Sequence, residues 1–163
     1  MMKTKARQKN LVIGLGNSLS SDDAFGTLVL DRIARAGHSF PLEADLINAD
    51  TDLINWIDRF QEYSHVILVD TVLDADDSLG RRSEVIALEE KDCTAWPETS
   101  PSAHQMSPIA AVRLFRKLYP QADTRITLVA YCTDRIAMPS PEGETVEQHI
   151  IDAGARLVIS LIS

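Results

Sequence analysis

Three side chains far apart in this 163-residue sequence could act on one ligand: Asp23, Asp70 and His104. Two carboxylate oxygens and one imidazole nitrogen suit a borderline divalent metal such as zinc or nickel, with a coordination position left open. The same trio could do acid–base work on a bound water. Asp22 and Asp50 are the nearest further carboxylates. Each residue also has a duller role open to it. Asp22 or Asp23 can cap a helix, Asp70 can bond loop amides at a strand end, and His104 can be an exposed histidine in a Ser/Pro-rich loop.

The joint reading depends on the elements that carry them. LVIGLGNSLSSDDAFG, residues 11–26, compresses an apolar strand, a Gly/Asn/Ser loop and a helix start into sixteen residues. The strand, residues 10–16, is continuously apolar, as a strand covered on both faces must be. A helix starts near Asp22 or Asp23, buries Phe25, Leu28, Val29, Ile33 and Ala36, and stops at Gly37. Residues 42–48 read as a second strand. Residues 51–60 read as a short helix with Leu53, Ile54, Ile57 and Phe60 inward and Asp50 or Thr51 as its cap. The third strand, residues 65–70, ends at Asp70, and a solvated acidic loop with Asp74, Asp76 and Asp77 follows. Residues 83–89 are the fourth strand. Residues 90–106 have no periodicity, and long irregular segments in compact domains are often functional. Ser107-Pro108 starts a helix with Ile109, Val112, Leu114 and Phe115 inward. Residues 125–132 are the fifth strand. Residues 143–161 are a last helix, with Val146, Ile150, Ala153, Leu157 and Leu161 inward.

This alternation predicts one domain: a three-layer α/β/α sandwich on a mostly parallel five-stranded sheet, with residues 1–9 as a mobile tail. The joint between the third and fourth strands is too short to return a parallel strand, so the fourth runs antiparallel. In such a sheet the carboxyl ends of the first, third and fifth strands share one edge. Asp23 and Asp70 lie there, and His104 precedes a helix that begins there. His65 belongs to the opposite edge. His38 and His149 read as surface residues, and Trp56 and Trp96 as packing.

Composition excludes several classes. The formal net charge of −8 repels phosphate backbones, so no nucleic-acid partner is expected. No apolar run approaches the ~18 residues of a membrane span. The apolar start, Leu11 to Leu15, is too short for a signal peptide, so the chain reads as cytoplasmic. Cys93 and Cys132 form no CxxC; a reduced compartment suits both, and a disulfide stays open. GLGN lacks the third glycine of a dinucleotide fingerprint, and two aspartates follow where a pyrophosphate would sit. No nucleophile elbow and no usefully spaced Cys/His pair is present.

GLGNSLSSDDAFG resembles the opening motif of the hydrogenase maturation endopeptidases, a Gly-x-Gly-Asn-x-Leu-x-x-Asp-Asp/Glu-x-x-Gly pattern. VILVDTV resembles that family's second motif, and SAHQMSP its third. They occur in the family's order and span residues 10–160. The resemblance implies a protease that clips the C-terminal extension from the large-subunit precursor of nickel–iron hydrogenase after nickel is loaded. It places the metal-contacting roles on Asp23, Asp70 and His104, with nickel supplied by the precursor. It implies a five-stranded sheet of order 2-1-3-5-4 with strand 4 antiparallel. A monomer is expected. The family's Gly-Gly-Thr segment after the second strand reads NADTD here, and only Thr51 matches. Two other readings stand beside this one: a metal-dependent maturation scaffold without cleavage, and, more remotely, a peptidyl-tRNA hydrolase, whose opening also resembles GLGN.

Overall fold

The computed structural model describes residues 8–17, 22–37, 43–96, 106–134 and 146–162. Its centre is β1, Gln8–Leu15, in which Leu11, Val12 and Ile13 have no exposed surface. Covered on both faces, it is continuously apolar from Leu11 to Leu15 rather than alternating. β1 begins two residues earlier than the expected strand start at residue 10, so Gln8 and Lys9 belong to the sheet and not to a tail.

A single turn of 3₁₀-helix, Asp22–Ala24, leads into α1, Phe25–Arg35. The N-cap position therefore falls on Ala24, which no side chain caps, and not on Asp22 or Asp23. β2 is Ala44–Asp50. The next helical segment, Leu53–Glu62, is a 3₁₀-helix and not an α-helix. Leu53, Ile57 and Phe60 are buried as expected, although their i, i+4, i+7 spacing is the α-helical one. Ile54 instead points outward, 56% exposed. The N-cap is Asp52 rather than Asp50 or Thr51, and its carboxylate accepts both bonds from the Asn55 amide.

β3 is Tyr63–Leu73, β4 Val85–Glu89 and β5 Arg125–Thr133. The sheet order is β2-β1-β3-β5-β4, with β4 antiparallel to β5 and every other pair parallel. Part of the expected irregular stretch is ordered as a 3₁₀-helix, Glu90–Ala95. α2, Pro108–Leu118, starts as its sequence says: Ser107 Oγ accepts from the Ala110 N–H at 3.2 Å, and proline holds the first position.

α3 is Gln148–Ile162. Its buried face is Ile150, Ile151, Gly154, Ala155, Val158 and Ile162, one position round from the predicted stripe. Ala153, Leu157 and Leu161 are half-buried. Gly154 sets that rotation, because a Cβ there would lie 2.7 Å from Phe25 Cζ and Val29 Cγ2 of α1. α1 and α3 pack together over Val12, Ile67, Val69 and Val129. α2 and the 3₁₀-helix 53–62 cover Leu11, Ile13, Leu68 and Leu128 on the other face. That is the predicted three-layer sandwich. Among the described residues no helix is long and apolar enough to cross a membrane.

Candidate active site

The loop after β1 is shaped by glycines that cannot carry side chains. A Cβ on Gly14 would lie 2.7 Å from the Gly26 carbonyl oxygen. A Cβ on Gly26 would lie 2.3 Å from the carbonyl oxygens of both Leu15 and Val69. The start of α1 is thus pressed against the backbones of β1 and β3 at their carboxyl ends. The loop reaching it carries Asp23, one residue before Ala24 and 3% exposed. Its Oδ2 accepts the Asn17 N–H at 3.1 Å. Burial raises the Asp23 pKa, and the Asn17 bond opposes that rise.

Asp70 comes to the same place by a different route. β1 pairs with β3 only as far as Gly14 opposite Val69, whereas β5 stays paired through Leu73 opposite Thr133. Asp70 is therefore inside its strand and not the last residue of it. On the β1 side it is the first residue beyond the ladder. Here the chain leaves β1 toward the α1 layer, while β3 runs on. Such a divergence between neighbouring parallel strands is where open α/β sheets form a ligand crevice. Asp70 Oδ1 accepts the Thr71 N–H at 2.8 Å. Burial pushes the Asp70 carboxyl up to about 8, the charge of Asp23 adds to the rise, and the Thr71 bond opposes it. A buried carboxyl group whose ionisation is further disfavoured by a neighbouring carboxylate makes a site for a proton or for a cation that replaces it.

Of the three residues named from the sequence, Asp23 lies close enough to Asp70 for its charge to raise the Asp70 pKa. His104 lies outside the described residues. Four positions after it, Pro108 opens α2, which returns to the start of β5 at Arg125 and so begins on the crevice edge. Among the described residues no three His, Cys, Asp or Glu side chains are gathered for a metal ion; the crevice contributes two. Asp50 closes β2 with φ +48, its side chain exposed and its carbonyl accepting the Gly16 N–H at 2.8 Å. Aspartate is one of the few residue types that tolerate this left-handed conformation.

Two residues, Asp74 and Asn17, depart from or add to the sequence reading, and His65 agrees with it. Asp74 is not part of a solvated acidic loop. It is 3% exposed and accepts bonds from the Ser78 N–H, the Ser78 hydroxyl and the Leu79 N–H, which fold the β3–β4 connection onto itself. His65 lies at the opposite edge as expected, buried, with Nε2 2.8 Å from the Thr127 hydroxyl. The Asn17 amide is the residue that sequence reasoning missed; the only signal for it was its place directly after Gly16.

No protein-family model matches the sequence, and no curated protein is significantly similar to it. Solved structures are. The hydrogenase maturating endopeptidase HybD from E. coli superposes with a TM-score of 0.72 at 18% identity, over 94% of this chain and 91% of that one. The NiFe hydrogenase maturation protease HycI from Thermococcus kodakarensis KOD1 does so with a TM-score of 0.65 at 18% identity, over 97% and 92%. HybD from Thermococcus kodakarensis gives 0.63 at 18% identity, over 94% and 95%. The fold is that of the hydrogenase maturation endopeptidases. Strand order and the antiparallel fourth strand agree with what the motif resemblance implied. At these identities the likeness is one of fold, and chemistry has to be argued from the crevice.

Proposed function

We propose that this chain is an endopeptidase that removes the C-terminal extension of a nickel-loaded nickel–iron hydrogenase large-subunit precursor. The observation that carries the reading is the meeting of Asp23 and Asp70 at the crevice between β1 and β3, in a chain with the fold of maturation proteases. The nickel arrives on the precursor, and Asp23, Asp70 and His104 complete its coordination. Docking through the metal sets the scissile bond beside the crevice, where the metal or a carboxylate activates water. Cleavage then waits on correct metal loading. Raised carboxyl pKa values fit this order of events. The empty pair holds a proton readily, and an arriving cation releases it. The protein acts in the cytoplasm as a monomer.

The test is in vitro processing of purified precursor, with and without nickel, by the unsubstituted chain and by Asp23→Asn, Asp70→Asn and His104→Ala. The shortened product should appear only with nickel and should be lost in each variant. Full processing by all three variants sinks the site. A nickel-dependent complex with no shortened product moves the reading to the scaffold.

A further inference from the structure

We propose that the main chain of Gly16 and Asn17 is the positioning device for Asp23, and that the missing side chain at Gly16 is what holds the Asp23 carboxylate at the crevice. The inference rests on reading Asp23 as a site residue. Gly16 is the meeting point of three segments. It follows Leu15, the last residue of β1, its N–H donates to the Asp50 carbonyl at the end of β2, and its Cα lies against the 3₁₀ turn that carries Asp23. A Cβ there would sit 1.7 Å from the Asp23 carbonyl oxygen and 2.9 Å from its carbonyl carbon. Both are backbone atoms, so no rotamer change relieves the clash. The conformation, φ +122, is also one that L side chains rarely adopt. The next amide, Asn17 N–H, then takes Asp23 Oδ2. Two consecutive residues thus hold both ends of Asp23, the carbonyl by close approach and the carboxylate by a hydrogen bond.

Gly16 differs in this from the other two glycines of the motif. Gly14 and Gly26 are pressed between α1 and the sheet, so a side chain at either strikes the helix–sheet contact itself. Gly16 lies just beyond the β1 ladder, where a side chain displaces the loop and leaves the β1–β3 pairing in place. Gly80 supplies a control: φ +62, with nothing within 4 Å of a Cβ. Gly80→Ala imposes left-handed strain without a clash.

The experiment compares Gly16→Ala and Gly80→Ala with the unsubstituted chain by amide hydrogen exchange and by precursor processing. In Gly16→Ala the Asn17 amide should exchange roughly tenfold faster or more, while Leu11, Val12 and Ile13 keep their protection. Processing at saturating precursor should fall about a hundredfold, because a displacement near 1 Å is enough for that. KM should change less than kcat, the split expected when Asp23 is displaced and not removed. Gly80→Ala should change none of these. Unchanged Asn17 protection in Gly16→Ala, or processing at the unsubstituted rate, overturns the proposal. If Gly16→Ala does not fold, Asp23→Ala carries the test: the Asn17 amide must lose its protection there, and retained protection overturns the proposal. A faster Asn17 amide in Gly16→Ala, with no cleavage by the unsubstituted chain, supports the positioning and refutes the protease reading.

Discussion

Asp23 and Asp70 are coupled across the crevice between β1 and β3: burial first, and then the charge of Asp23, together raise the Asp70 carboxyl to about 8 against the opposing Thr71 bond. The coupling makes the pair a proton-holding unit at neutral pH. It also sets a pH dependence whose sign can be worked out. The folded Asp70 binds its proton more tightly than the unfolded chain, whose aspartate titrates near ~3.9. Between those two values the folded state holds the extra proton, so Asp70 costs the fold stability as pH rises toward 8.

Asp70→Asn should therefore stabilise the protein at pH 8 while abolishing processing. The amide keeps an oxygen for the Thr71 N–H and carries no charge to bury. The expected gain is about 1 kcal/mol, of the size common where a site residue is removed from a strained crevice. Urea denaturation at pH 5 and pH 8 checks it, since the gain should shrink at the lower pH. Carboxyl NMR titration of Asp23→Asn should show Asp70 titrating lower than in the unsubstituted chain, yet still above an exposed aspartate, because burial remains.

His65 acts in the opposite sense. Burial, with help from the Arg125 charge, depresses its pKa to about 4, against Glu89 and a bond to the Leu161 backbone that raise it. Its folded value lies below the unfolded ~6.5, so the unfolded chain takes the proton first. Stability should fall as pH drops from about 6.5 to 4. His65→Gln, which keeps a polar group facing Thr127, should flatten that acid limb when unfolding midpoints are measured across the range.

Asp74→Ala should destabilise the fold by about 2–3 kcal/mol, since three donors lose a buried carboxylate acceptor. Burial works against the charged form of Asp74, but the bonds from Leu79 and Ser78 outweigh it and hold its pKa below the ordinary value. The loss should be visible in thermal unfolding. Faster hydrogen exchange at Ser78 and Leu79, with β1 unaffected, would localise it to the β3–β4 connection.

Gly154→Ala sets two effects against each other. Alanine gains about 1 kcal/mol of helix propensity over glycine. The added methyl would lie 2.7 Å from Phe25 Cζ and Val29 Cγ2, both on α1 with buried side chains, and overpacking of that kind costs about 1–3 kcal/mol. Overpacking should win, giving net destabilisation in a chemical denaturation curve. A neutral or stabilising result would mean that α3 can slide on α1.

Much of this architecture was legible because it follows from local rules. The five strands alternate with helical periodicity, and the brief β3–β4 connection forces an antiparallel strand. Ser107-Pro108 marks the start of α2 by its own capping chemistry. The convergence of Asp23 and Asp70 was legible from topology, since parallel strands deliver their carboxyl ends to one edge. The 3₁₀ winding of 53–62 was not legible, because Leu53, Ile57 and Phe60 recur at the α-helical i, i+4, i+7 spacing.

The sequence by itself determined which elements form, in what order, and which edge of the sheet receives the two carboxylates. Those are matters of hydrophobic period, turn residues and connection length, all read within a few positions of one another. Only the tertiary structure decided that Asp70 sits inside β3 yet past the end of the β1 ladder, because that depends on two neighbouring strands ending at different heights. It also decided that Asp74 is buried, that α3 turns its Gly154 side to Phe25, and that Gly16 leaves no room for a side chain beside Asp23. Each of these is a contact between residues distant in the chain. Such contacts depend on how far the layers can approach one another, which local sequence does not encode.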